Sequence, residues 1–198
     1  MRLILLRHGE TQWNTQSRLQ GHDNSSLSPK GIDQVKSIKK VIERLSPMRV
    51  VTSDLGRTIQ TSEILGYPDA MKEPLLREVN MGEWTGKYKE DLITNQKQQY
   101  SDWRAGLYTP SEGESWVDFC DRIGSTLKQW AEKEESDLLA IVHSGVIRAA
   151  CKVFLNLSPE YLLPVTPGTI SIFNFENKSI KLEAYNIGAY IPDDNVAD

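Results

Sequence analysis

Three short apolar runs, each followed by a polar loop and then by a helical pattern, limit the folds open to this chain. The runs cover residues 3–6, 50–52 and 138–142, and each has the length and continuity of a strand buried on both faces. Strands that alternate with helices predict an α/β fold with a largely parallel sheet. We therefore expect a three-layer α/β/α sandwich with a mainly parallel sheet.

The three helical patterns begin at residues that are typical of helix starts. They are expected over residues 28–47, with Ser28 as the cap and Pro29 at the first position, over residues 53–66, with Ser53 and Asp54 as candidate caps, and over residues 146–155.

A polar, aromatic segment separates the second and third units. Residues 87–108 are expected to form helices of a small lid insertion at about residues 84–115. Residues 116–130 then carry Trp and Phe among aliphatic side chains on one helical face, which indicates core packing. The chain length fits one domain over residues 1–198.

The C-terminal part predicts an antiparallel strand pair. Residues 169–175 alternate between apolar and polar side chains, and residues 180–185 follow after an Asn-Lys turn at residues 177–178. Residues 192–198 are expected to be a frayed tail.

Charge and composition exclude several classes of function. Lys and Arg number 23 against 27 Asp and Glu, for a net charge of −4, and no long basic run occurs, which disfavours nucleic acids and anionic membranes as partners. The N-terminal apolar run is too short for a signal-peptide core, and no stretch reaches membrane-spanning length, so a cytoplasmic location is expected. Cys120 and Cys151 are expected to be buried, small apolar side chains.

Two of the three histidines directly follow predicted buried strands. His8 follows the first strand beside Arg7, His143 follows the third, and Arg57 lies about one helical turn after the second. Ligands of open α/β sheets bind beyond the carboxyl ends of the strands, so we expect these four side chains to converge on one crevice. Two guanidinium groups and two imidazoles there indicate an oxyanion site.

This set of groups suits phosphoryl transfer. Arginine forks match the geometry of phosphoryl oxygens. An imidazole nitrogen can attack phosphorus and form a phosphohistidine, which divides one displacement into two easier ones. A leaving alkoxide then needs a proton, which a carboxylic acid near the substrate can supply.

Ordered motifs along nearly the whole chain resemble the histidine phosphatase superfamily, the phosphoglycerate-mutase-like proteins, and within it the branch of small phosphatases. The matching segments are LRHGETQWN at residues 6–14, RLQG at 18–21, LSPKG at 27–31, SDLGRT at 53–58, LRE at 76–78, GES at 113–115 and VHSGVIR at 142–148. The stretch at residues 24–27 departs from the pattern, because the family usually carries Asp and Pro before its Leu.

The resemblance implies roles for individual residues. His8 would be the nucleophile, Arg7, Arg57 and His143 the clamp on the phosphoryl oxygens, and Glu78 the acid that later activates water. Phosphate or substrate contacts would also come from Asn14, Gln20, Gly21 and Ser144, the last at a position that varies in the family. Glu83 is a second carboxylate nearby, and the acid is assigned to Glu78 because it follows a Leu-Arg pair. No metal and no cofactor are implied.

The expected activity is metal-independent hydrolysis of phosphomonoesters of small metabolites through a phosphohistidine. The alternatives are a cofactor-dependent phosphoglycerate mutase, whose family members are longer with a larger lid, and a non-catalytic phosphate-binding protein. α-Ribazole phosphate, phosphoserine, sugar phosphates or a broad mixture all remain open as substrates. A monomer or a homodimer is expected, the lid aromatics are expected to pack the lid or line the pocket, and His22 is expected to be an exposed loop residue.

Overall fold

A six-stranded sheet forms the centre of the computed structural model, which describes residues 1–176 and 179–188. The strands are β1 (Arg2–Arg7), β2 (Arg49–Thr52), β3 (Met71–Lys72), β4 (Leu138–Val142), β5 (Ile170–Glu176) and β6 (Ser179–Ile187), in the order β3-β2-β4-β1-β5-β6. Pairing is parallel from β3 through β2 and β4 to β1, and antiparallel from β1 through β5 to β6. This confirms the α/β fold with a mainly parallel sheet.

Side chains of the central strands alternate between two cores. Leu3 and Leu5 of β1 join one buried cluster, whereas Ile4 and Leu6 join the other. Successive side chains of a strand point to opposite faces, so a continuous apolar run requires cover on both faces. The sheet is therefore the middle of three layers, as the sequence predicts.

Helices cover both faces of the sheet. They are α1 (Gln12–Thr15), α2 (Pro29–Leu45), α3 (Gly56–Leu65), α4 (Lys89–Asn95), α5 (Lys97–Arg104), α6 (Trp116–Glu132) and α7 (Ser144–Leu155). The helices α2 and α3 pack on the face of the sheet that carries Ile4 and Leu6, and α6 and α7 pack on the face that carries Leu3 and Leu5. The predicted apolar face of α6 packs into this latter core. Cys120 and Cys151 are buried there, which raises the pKa of each thiol to about 12.

The start of α2 is confirmed and the start of α3 is not. The hydroxyl of Ser28 accepts a hydrogen bond from the N–H of Gly31, and Pro29 occupies the first turn. At α3 the N-cap is Leu55, without a side-chain bond. Asp54 cannot cap because its carboxylate is paired with Arg77, at 2.7 Å from Oδ1 to Nε, and this charge-assisted pair is the stronger interaction.

The insertion and the C-terminal pair follow the predicted layout. The helices α4 and α5 lie between residues 89 and 104, within the lid segment. The strands β5 and β6 form the expected antiparallel pair, whereas the predicted turn at residues 177–178 and tail at residues 192–198 lie outside the described residues. None of the helices in the described ranges is both long and apolar enough to span a bilayer.

Candidate active site

The carboxyl ends of three parallel strands bring the predicted site residues together. His8 follows β1, His143 follows β4 as the N-cap of α7, and Arg57 lies in the first turn of α3 after β2. The centroids of the two imidazole rings are 5.3 Å apart, with the rings edge to face. The convergence follows from the sheet order, in which β4 lies between β1 and β2.

The ring of His8 is oriented by its neighbour in the chain. Its Nδ1 lies 2.8 Å from the carbonyl oxygen of Gly9. A carbonyl only accepts, so Nδ1 carries the proton and the neutral ring keeps its lone pair on Nε2. Burial, followed by the positive charges of Arg57 and Arg7, holds the pKa of His8 well below its ordinary value. The ring is thus an uncharged nitrogen base at neutral pH.

Arg7 and Arg57 are fully buried cations fixed by carbonyl groups. Arg7 donates from Nη1 to the carbonyl of Val165, and Arg57 donates from Nη1 to Asp23 at 2.7 Å and from Nη2 to Gly21 at 2.8 Å. Burial lowers the pKa of each guanidinium to about 10, so both remain charged at neutral pH. The site therefore holds two fixed positive charges beside two neutral imidazoles.

His143 has a partner that sequence reasoning did not identify. Its Nε2 lies 3.0 Å from the hydroxyl oxygen of Ser53, at the end of β2. Burial, followed by the charges of Arg57, His8 and Arg7, holds the pKa of His143 well below its ordinary value. Ser53 lay within a family-like motif, but its pairing with a residue 90 positions away has no local signal.

Arg57, His143 and Asn14 each have a buried side-chain nitrogen that lacks a hydrogen-bond partner among residues 1–176 and 179–188. These atoms are Nε of Arg57, Nδ1 of His143 and Nδ2 of Asn14. The Oδ1 of Asn14 accepts from the N–H and hydroxyl of Thr11, which orients the free amide. Unpaired buried polar groups cost folding free energy, and native proteins keep few of them without a functional reason.

The carboxylate of Glu78 is held by two backbone N–H groups. Oε1 accepts from Val79 at 2.9 Å, and Oε2 accepts from Gly145, in the first turn of α7, at 3.0 Å. Glu78 is 4% exposed and lines a cleft together with Arg104 and Arg148. Glu83, the other predicted candidate, is exposed in a short 3-10 turn at Gly82–Trp84.

The remaining residues predicted to contact phosphate or substrate also lie near the carboxyl ends of the strands. Gly21 has φ of +52°, which favours glycine, and its carbonyl holds Arg57. Gln20 is buried before it, with a side-chain oxygen that has no partner among the described residues. Ser144 is buried as the first residue of α7.

The loop after His8 packs tightly against α2. A Cβ on Gly9 would lie 2.6 Å from the carbonyl oxygen of Gly31, so only glycine permits this approach. Glu10 accepts from the hydroxyl of Ser28 at 2.8 Å and pairs with Lys30 at 3.0 Å. The loop that carries the imidazole is therefore fixed against the start of α2.

A cleft lies under the lid, beside Glu78 and Gly145. Its walls are Glu78, Val79, Met81, Trp103, Arg104, Tyr108, Glu114, Trp116, Gly145 and Arg148. Trp84 and Tyr100 are buried and pack the lid, and Tyr88 is exposed. Trp103 and Tyr108 pack against Trp84 and also line the cleft, as does Trp116.

His22 is a correction to the sequence analysis. The sequence predicts an exposed loop residue, but His22 is half-buried, with Nε2 2.9 Å from the backbone carbonyl oxygen of Glu78. The loop after Gly21 thus contacts the backbone of Glu78, and no pattern in the sequence indicates that contact. No cluster of three or more His, Cys, Asp or Glu side chains suited to a metal occurs in the described parts of the chain.

The fold and the site define a class of protein. Residues 3–188 match the family model of the histidine phosphatase superfamily (branch 1), and the chain belongs to that superfamily.

The relatives differ in the activity that their names carry. A protein of Escherichia fergusonii named probable phosphoglycerate mutase GpmB is 32% identical over 155 residues, which cover 74% of this chain and 70% of that protein. The mycobacterial glucosyl-3-phosphoglycerate phosphatase in complex with VO3 superposes with a TM-score of 0.86 at 26% identity, over 93% of this chain and 98% of that one. The α-ribazole phosphatase of Shigella flexneri gives 0.81 at 26% identity, over 94% and 96%.

Proposed function

We propose that this protein is a metal-independent phosphomonoester phosphatase that acts through a phosphohistidine on His8. The observation that carries the proposal is the neutral imidazole of His8, with its lone pair on Nε2, between the buried charges of Arg7 and Arg57. Fixed cations stabilise the charge that develops on the phosphoryl oxygens in the transition state. Because the arginines supply that charge from the chain itself, we expect turnover to survive removal of metal ions.

In the first half-reaction, Nε2 of His8 attacks phosphorus and the bond to the leaving oxygen breaks. The carboxyl of Glu78 gives its proton to that oxygen, which departs as an alcohol. His143, held by Ser53, and the free amide of Asn14 would donate to the phosphoryl oxygens. The products of this step are an alcohol, a phosphohistidine and the carboxylate of Glu78.

In the second half-reaction, a water molecule attacks the phosphorus of the phosphohistidine. The carboxylate of Glu78 takes a proton from this water, and the N–P bond breaks to return the neutral ring of His8. Phosphate leaves, and the two backbone N–H bonds to Glu78 hold its carboxyl in place for the next turnover.

The cleft under the lid supports a choice of substrate class. Trp103, Tyr108 and Trp116 offer aromatic faces, and Arg104 and Arg148 place positive charge on the same walls. Aromatic faces bind flat or sugar rings, and guanidinium groups bind carboxylates. We infer that the alcohol part of the substrate is a small metabolite that carries a ring, a carboxylate or both, which agrees with the compounds in the names of the relatives.

A phosphoglycerate mutase is the second candidate, because a curated relative carries that name. A mutase returns the phosphoryl group from histidine to a second hydroxyl, whereas a phosphatase passes it to water. The test is isomerisation of 3-phosphoglycerate with a bisphosphate primer, measured alongside phosphate release. Isomerisation faster than release would favour the mutase.

The deciding experiment measures phosphate release in EDTA from 3-phosphoglycerate, phosphoserine, α-ribazole phosphate, sugar phosphates and p-nitrophenyl phosphate. Wild type and His8→Ala are compared, and the labelled enzyme is tested for an acid-labile, alkali-stable phosphoryl adduct. We expect release that persists in EDTA and is lost with the adduct in His8→Ala. Phosphate binding without any adduct would favour the non-catalytic alternative.

We also propose that the protein is cytoplasmic, and fractionation of cells tests this location.

A further inference from the structure

The backbone that carries Glu78 depends on bonds from outside its own segment. In the described structure, residues 77–81 lie between two 3-10 turns, Pro74–Leu76 and Gly82–Trp84, and outside every strand and α-helix. A segment without its own ladder must satisfy its carbonyl groups elsewhere. Whatever satisfies them also sets the position of the Glu78 side chain.

Arg122, the seventh residue of α6, donates to two of these carbonyls and to one in the preceding 3-10 turn. Its Nη1 donates to Leu75 at 2.7 Å and to Arg77 at 3.1 Å, and its Nη2 donates to Glu78 at 3.4 Å. One planar guanidinium therefore contacts three of the four carbonyls from residue 75 to residue 78. A guanidinium fork is rigid, so these contacts fix direction as well as distance.

Glu114 holds the fork and the far side of the same segment. Its carboxylate accepts from Arg122 at 2.8 Å through Nε and at 2.6 Å through Nη2. Its backbone N–H donates to the carbonyl of Asn80 at 2.8 Å. His22 makes the other contact to the carbonyl of Glu78, with Nε2 at 2.9 Å. Glu78 is thus enclosed between contacts to residues 75–78 on one side and to residue 80 on the other.

We propose that Arg122, oriented by Glu114, is a positioning residue that sets the carboxyl of Glu78 at the distance from which it can protonate the leaving oxygen. The inference rests on the proposed function, in which Glu78 is the acid. Proton transfer requires hydrogen-bond reach, and a displacement of about 1 Å costs roughly 100-fold in rate. Attack by His8 uses other elements, so Arg122 acts on protonation of the leaving group rather than on phosphoryl capture.

A matched ion pair far from the site provides the control. Arg2 pairs with Asp137 at 2.6 Å and donates to the carbonyl of Leu45 at 3.2 Å, so it repeats the chemistry of Arg122 with Glu114 at the other end of the sheet. If Arg122 contributes only stability, its replacement and that of Arg2 will have the same kinetic pattern.

The experiment measures kcat/KM for an alkyl phosphate and for p-nitrophenyl phosphate in wild type, Arg122→Lys, Glu114→Gln, Glu78→Gln and Arg2→Lys. Lysine keeps the charge but cannot span three carbonyls. We expect Arg122→Lys to lower kcat/KM by about 10- to 100-fold for the alkyl ester and by less than about threefold for the aryl ester, whose leaving group needs no proton. Glu114→Gln is expected to lower kcat/KM in the same way, more for the alkyl ester than for the aryl ester. It replaces Arg122→Lys as the test if that variant does not fold.

The outcomes separate the two proposals. Suppose that Glu78→Gln lowers kcat/KM more for the alkyl ester than for the aryl ester. The positioning role is then overturned if Arg122→Lys and Glu114→Gln lower kcat/KM equally for both esters. It is also overturned if Arg2→Lys shows the same ester dependence as Arg122→Lys. If Glu78→Gln itself shows no ester dependence, the acid assignment fails and the positioning role fails with it. If wild type releases phosphate from neither ester and from none of the phosphorylated metabolites named above, the proposed function is wrong.

Discussion

Replacement of Gly145 by alanine tests whether the position of the Glu78 carboxyl governs turnover. A Cβ at this position would lie 2.2 Å from Oε1 and 3.0 Å from Cδ of Glu78. The carboxyl must retreat by about 1 Å to reach the 3.4 Å at which such contacts become ordinary. Its displacement weakens buried backbone hydrogen bonds worth about 1 kcal/mol each, and alanine favours the helix by up to about 1 kcal/mol over glycine. Because these effects oppose one another, we expect only a small change in Tm.

The kinetic loss is expected to be large and selective. A misplacement of about 1 Å costs roughly 100-fold, which equals about 2.7 kcal/mol of activation free energy. We expect this loss in kcat/KM for an alkyl phosphate, since its alkoxide needs the proton, and a loss below about threefold for p-nitrophenyl phosphate. Phosphate release from both esters, measured beside thermal unfolding, is the assay.

Gly124→Ala is the matched control. Its Cβ would lie 2.8 Å from a methyl group of Val153, in the packing between α6 and α7. Overpacking of this kind costs about 1 to 3 kcal/mol of stability and carries no dependence on the leaving group. The reasoning is refuted if Gly145→Ala turns over the alkyl ester at the wild-type rate, or if it slows both esters equally.

Three further expectations concern the oxyanion site. Arg57→Lys loses the bidentate fork, so kcat/KM for p-nitrophenyl phosphate should fall by about 10²- to 10³-fold, and a fall below about tenfold would contradict the clamp. Folding lowers the pKa values of His8 and His143, so the unfolded chain binds more protons near pH 6. The free energy of unfolding should therefore decrease as pH falls below about 6.5, and in His143→Asn urea titrations should show that it depends less on pH. Vanadate at 100 times its Kd should stabilise the fold by about 2.7 kcal/mol, and an unchanged Tm would argue against an oxyanion site.

Interactions within a few residues were predictable from the sequence. The apolar strands ending at Arg7 and Val142, the Ser28 cap and the histidines that follow the strands depend on local spacing, and the alternation of units is enough to predict an α/β sheet. The sequence also indicated that four cationic or imidazole side chains would share one edge, because the carboxyl ends of parallel strands meet there. The roles assigned to these residues stay predictions until variants are measured.

The tertiary structure alone decided how these groups are held. Asp54 is drawn to Arg77, and the N–H of Gly56 at the start of α3 is instead bonded to Asn24, 32 residues earlier. His22 reaches the carbonyl of Glu78, and Ser53 orients His143. Each partner is chosen by competition among groups that only the folded backbone brings together, and a charge-assisted or buried bond outweighs a local preference of about 1 kcal/mol. Local sequence therefore determines which residues reach the site, and long-range packing determines what each of them contacts there.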